Sequence, residues 1–116
     1  ILTQTLQLIF DPPAALRTLH RILKPGGTLL VTVPGLTPVA TQTLWGPTWH
    51  YSFTENSVRR LLAAQFEPGR CHIETHGNVL VAIAFLHGLA TAELTADELT
   101  AVDPDYPVIL TAVARK

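Results

Sequence analysis

His50 and Tyr51, with Trp45 and Trp49 just before them, form the densest group of side chains that could do chemistry. An imidazole can take a proton near neutral pH, a phenol can donate or accept a hydrogen bond, and two indoles can wall an apolar pocket. The four residues lie in an aperiodic stretch, 36–52, that follows an apolar run. The same residues also suit a satellite cluster in which the tryptophans simply bury themselves, so lid and packing cluster both stand as readings. The remaining reactive types offer less. His72 and His76 share a face if residues 70–76 are a strand, but four strand residues span about 13 Å. One ion held by bonds of about 2 Å does not bridge that distance. Cys71 points to the opposite face, with no helix N-terminus or basic partner to lower its pKa. No Gly-x-Ser-x-Gly turn occurs, so neither a metal site nor a nucleophilic mechanism is expected.

The elements that position these residues can be read in order. Ile1-Leu2-Thr3 looks like the end of a strand, followed by a polar-then-apolar loop through Phe10. Asp11 is a good N-cap and Pro12 a good first helical residue, and Leu16, Leu19, Ile22 and Leu23 then recur at helical spacing. In Lys24-Pro25-Gly26-Gly27 both glycines can take the positive φ that stops a helix. Thr28–Val33 follows as an apolar strand suited to burial on both faces in a parallel sheet, and Pro34-Gly35 ends it. Thr54 caps a helix over about residues 55–65 with Val58, Leu61, Leu62 and Phe66 inward. Arg70–Thr75 reads as a strand. Val79–Leu86 is apolar all round, which predicts a helix buried on more than one face, ended by Gly88. Thr95 and Glu98 make a capping box, and Val108–Ala114 is the last strand.

Composition bounds the function. A chain of 116 residues is one domain at most, and a net charge of −1 gives no electrostatic pull toward nucleic acid or anionic membranes. No apolar run approaches the roughly 20 residues of a membrane span. The single Cys71 fits a reducing, cytoplasmic compartment. The chain contains no Met, so it is expected to be part of a longer product.

The Leu23-Lys24-Pro25-Gly26-Gly27 run with its apolar strand resembles the fifth-strand region of class I S-adenosylmethionine-dependent methyltransferases of the type 11-like group. Tyr51-Ser52-Phe53-Thr54 followed by Ser57-Val58-Arg59-Arg60-Leu61-Leu62 resembles the aromatic-x-Phe-Thr motif and helix before that fold's sixth strand. Members often carry Arg where this chain has Ser52. The resemblance spans the chain but covers only the second half of the fold. It implies an α/β class, the C-terminal half of a Rossmann-like three-layer α/β/α sheet, with the last strand inserted antiparallel between the fifth and sixth.

The resemblance also implies roles. Thr3, Gln4, Thr5 and Leu6 would pass beside the methionine end of S-adenosylmethionine, and Gln7 would face the substrate, orienting rather than deprotonating it. Trp49, His50 and Tyr51 would contact the substrate. No residue is assigned a catalytic role. The partial domain, residues 1–116, lacks the glycine-rich loop and ribose-binding acid that grip adenosine, because Gly26-Gly27 precedes a strand rather than following one. The expected function is thus the substrate-side half of a methyltransferase, inactive alone, acting on a small-molecule or glycan-type acceptor. Two other readings are weighed beside it. One is a non-catalytic half-domain whose open sheet edge drives homodimer formation or association with a missing N-terminal half. The other is a nicotinamide-binding fragment of similar topology.

Overall fold

A computed structural model describes residues 1–42 and 44–116. Four strands form one mixed sheet: β1 (Leu2–Thr3), β2 (Thr28–Pro34), β3 (Cys71–His76) and β4 (Ile109–Arg115). Helices α1 (Pro12–Ile22), α2 (Glu55–Ala63), α3 (Val79–His87) and α4 (Ala96–Thr100) lie between them. The sheet order is β1-β2-β4-β3. β1 runs parallel to β2, whereas β4 is antiparallel to both β2 and β3, in the order the resemblance implies.

Local chemistry accounts for the element ends. The Asp11 carboxylate accepts from the Ala14 N–H at 2.9 Å, with Pro12 and Pro13 opening α1. Thr54 and Ser57 satisfy each other's backbone N–H groups at the start of α2. Of the two glycines in the turn after α1, only Gly26 takes a positive φ, +75°. Gly27 is required for space instead: a Cβ there would sit 2.8 Å from the Lys24 carbonyl oxygen. Lys116 ties this corner to the end of β4, its Nζ donating to the carbonyls of His20 at 2.7 Å and Leu23 at 2.9 Å. These are C-terminal carbonyls of α1, where a cation opposes the helix dipole.

One face of the sheet carries the core. Leu29, Val31 and Val33 of β2 pair in register with Ala114, Ala112 and Leu110 of β4, and all six are buried against Leu16, Val58, Leu62 and Phe66. The other face differs from the expectation of burial on both sides. Leu30 and its β4 partner Val113 remain 41% and 40% exposed, because α1 and α2 both cover the opposite face. The expectation for α3 also needs correction. Only Ala82 and Ala84 are buried, while Val79, Leu80, Ile83, Phe85 and Leu86 are 40–55% exposed. An apolar pattern with no period states that a helix is greasy, not that neighbours surround it. Among the described residues no helix is long and apolar enough to cross a membrane.

The 32-residue span from Gly77 to Val108 leaves the sheet at the end of β3 and returns into β4. Its base is tight: Gly35 N–H donates to Val108 O at 2.9 Å, and a Cβ on Gly35 would lie 2.2 Å from Pro107 O. Gly35→Ala should therefore cost about 1–3 kcal/mol, the usual range for forcing extra volume into a packed site. Gly69→Ala meets no atom within 4 Å and should stay within about 0.5 kcal/mol of wild type. Urea denaturation of the two variants side by side checks the difference.

Candidate functional site

The residues singled out from sequence gather at one end of the sheet, where β1 and β2 finish. Gln4, immediately after β1, holds a positive φ of 44°, the one non-glycine residue to do so among those described. Such a conformation persists only where its surroundings over-determine it. Here its N–H donates to the Thr32 carbonyl at 2.9 Å and approaches the Thr32 hydroxyl at 3.2 Å, and its side-chain Nε2 reaches the same hydroxyl at 3.3 Å. The Thr5 hydroxyl donates to Thr3 O at 2.8 Å, and Gln7 Nε2 to Gln4 O at 2.9 Å. Thr3 is exposed, whereas Leu6 lies in the hydrophobic core.

Gln7 is 2% exposed, and its Oε1 has no hydrogen-bond partner among the described residues. Trp49 Nε1 is likewise buried without one. The two belong to adjoining segments, because the His50 N–H donates to Gln7 O at 2.9 Å. An orphan acceptor and an orphan donor thus occur on neighbouring pieces of chain, and such groups are uncommon in native interiors.

The aromatic segment is largely occupied with structure. Tyr51 Oη donates to Phe10 O at 2.8 Å, and the His50 ring meets Phe10 edge-on with centroids 5.4 Å apart. His50 and Tyr51 are therefore brought together around Phe10, with Gln7 bonded to the His50 backbone, while Trp45 is largely exposed. On β3, His72 pairs with Glu74 at 2.9 Å, and burial pushes the Cys71 thiol pKa up, away from thiolate. No group of three potential metal-ligating side chains occurs among the described residues.

Sequence reasoning missed a cavity of about 360 Å³. The strand ends Pro34 and Ile109 contribute to it, with Gln4 just after β1 and Val108 just before β4. The 77–108 span contributes Val81, Ala84 and Phe85 from α3 and Leu89, Leu94 and Leu99 from the segment beyond. Its position, outside the ends of the parallel strands β1 and β2, is where open α/β sheets place ligands. The available signal was an apolar excess in Val79–Leu89 beyond what one packing face requires.

Buried Asn78 holds this span together. Its Oδ1 caps α3 by accepting from Val81 N–H at 2.9 Å. Its Nδ2 donates to the carbonyls of Glu98 at 2.8 Å and Ala101 at 2.7 Å, which end α4. At the other end of α4 the Glu98 carboxylate accepts from the Thr95 N–H at 2.8 Å and from the Thr95 hydroxyl at 2.8 Å. These bonds, the backbone one first, hold the Glu98 pKa below the ordinary carboxylate range.

With this geometry established, comparison with known proteins identifies the class. A methyltransferase-domain family matches residues 1–80, and the chain belongs to that family. No curated protein gives a match to the chain.

Two outcomes follow for the span that roofs the cavity. Asn78→Ala removes a cap and two further bonds, and should cost roughly 1–3 kcal/mol. Hydrogen exchange should show the loss concentrated in residues 79–101. The Glu98 contribution should be complete above the ordinary carboxylate pKa and vanish as pH falls through the lowered one. The Thr95 amide shift, followed by NMR, should accordingly titrate with a midpoint below that of a free glutamate.

Proposed function

We propose that this chain is the substrate-side half of an S-adenosylmethionine-dependent methyltransferase and does not methylate on its own. The observation that carries the reading is Gln4, fixed to β2 by its bonds to Thr32 and lining the cavity at the same time. A loop held in a strained conformation beside an apolar pocket is the kind of rigid wall that positions one reactant against another.

The residues present fit one end of the cofactor only. The Thr5 hydroxyl and one N–H of each of the Gln4 and Gln7 amides are already committed within the protein, which leaves few donors for the methionine carboxylate. The unpartnered Gln7 Oε1 does suit the ammonium group. For adenosine, no glycine-rich turn follows β1 or β2, and Thr3 and Pro34 end them where an acid would hold the ribose. When bound, S-adenosylmethionine supplies a methyl group on a sulfonium, transferable to an oxygen or nitrogen of the acceptor. The chain's part is to orient the acceptor through Trp49 and His50 and to keep water out with the apolar wall. We place the activity in the cytoplasm, with a small-molecule acceptor.

A second reading, a non-catalytic half-domain acting through association, is favoured by the adjacent exposed Leu30 and Val113 on the open face. A single experiment bears on both. Calorimetric titration of the purified chain with S-adenosylhomocysteine should show no binding, and light scattering should give a mass of two or more chains. Micromolar binding by this chain alone would overturn the half-domain reading. In a longer product that joins this chain to a cofactor-binding half, S-adenosylhomocysteine should bind, and Gln7→Ala should weaken it about tenfold, the worth of one charge-assisted hydrogen bond. Absence of binding there as well would remove the methyltransferase reading and leave association.

A further inference from the structure

We infer that the cavity roofed by the 77–108 span is a specificity pocket for an apolar part of the methyl acceptor, an aromatic ring or a short hydrocarbon chain. The inference rests on the proposed function only in calling the occupant an acceptor. That the pocket takes an apolar group follows from the cavity itself.

The lining decides the chemistry. None of the side chains around the cavity is charged, and the polar ones are Gln4, Thr37 and Thr91. A sugar ring or phosphate placed there would lose its water and find few partners, at a cost of kilocalories per unpaired group. A hydrocarbon group would lose nothing and would cover surface that is now wet. Phe85, Leu89 and Ile109 are 45%, 48% and 42% exposed although they line a concavity. At about 360 Å³ the space lies within the range of small-molecule sites and falls far short of a docked domain.

The construction of the span supports a binding role. A connection from β3 to β4, antiparallel neighbours, needs only a tight turn. The chain instead spends 32 residues there, from Gly77 to Val108. They carry an N-cap at Asn78, a left-handed glycine cap at Gly88 and a capping box at Thr95, so they form a defined roof. That roof buries little of its own apolar surface, since only Ala82 and Ala84 of α3 are buried. Gln4 joins the pocket to the β1 loop, so an occupant's polar end would emerge beside the wall proposed for methyl transfer.

The test uses the chain as it is and needs no cofactor. Amide spectra are recorded during titration with 1-naphthol, with 1-decanol and with glucose as the polar control. Naphthol or decanol should shift the resonances of Ala84, Phe85, Leu94 and Leu99 with saturation, and glucose should not. Ala84→Trp fills the cavity and should raise the dissociation constant at least tenfold. Thr91→Glu, at an exposed lining position, should do the same by placing a carboxylate at the pocket while leaving the fold intact. Should Ala84→Trp fail to fold, Thr91→Glu alone decides. Shifts with glucose but not with the apolar compounds, no saturable shift with any, or unchanged naphthol binding in Thr91→Glu would each overturn the inference. Naphthol binding without S-adenosylhomocysteine binding in the longer product would keep the pocket and remove the cofactor reading, so the two failures are distinct.

Discussion

Everything in this structure depends on β4 lying between β2 and β3. Its inward residues Leu110, Ala112 and Ala114 face Val33, Val31 and Leu29 in register on one side and Thr75, Ile73 and Cys71 on the other. Small alanines at two of the three central positions let α2 approach the sheet closely and place Val58, Leu62 and Phe66 over it. Without β4 the two remaining pieces, β1-β2 and an isolated β3, would share no backbone ladder. The cavity exists for the same reason. Because β4 runs opposite to its neighbours, it begins where β2 and β3 end, and the span that joins β3 to β4 therefore lies wholly at that end of the sheet.

The functional geometry follows from that placement. The span between β3 and β4 could have been a tight turn, yet it is a capped pair of helices tied together through Asn78. It faces the one backbone position outside glycine, among those described, that adopts a left-handed conformation. Strain at Gln4 and a loosely packed apolar roof are both features that packing alone would remove. Their juxtaposition at the strand ends makes best sense as a site.

Much of the architecture was legible because it rests on local chemistry. Asp11 followed by prolines, Thr54 before an amphipathic run and Thr95 three residues before Glu98 mark helix starts whatever the rest of the chain does. The antiparallel insertion of the last strand came from resemblance; nothing in residues 108–114 by themselves states which neighbours they choose. The site was legible only in part. Thr3 to Gln7 could be placed at the end of a strand, but that the Thr5 hydroxyl and one N–H of each glutamine amide are bonded internally is a matter of three-dimensional hydrogen bonding. His50 and Tyr51 stood out by type, and the structure shows Tyr51 bonded to a backbone carbonyl and His50 stacked edge-on to Phe10. The cavity was hidden in Val79–Leu86 because an all-apolar helix has no moment to say which side is covered.

The position of β4 also shapes how the molecule is made. The strand at the centre of the sheet is the last of the four in sequence, and its pairing with β2 joins residues 75 or more positions apart, as in Pro34 with Ile109 and Thr28 with Arg115. Long-range pairings form slowly because loop-closure entropy is lost before the contacts reward it. On a ribosome, β2 and β3 would emerge with unpaired backbone edges facing an unfilled slot for several seconds, at the usual ~5–20 residues per second. During that interval the nascent chain presents two strands that any third extended segment can bridge. Its cellular yield should therefore depend on chaperone supply more than the stability of the finished fold would suggest.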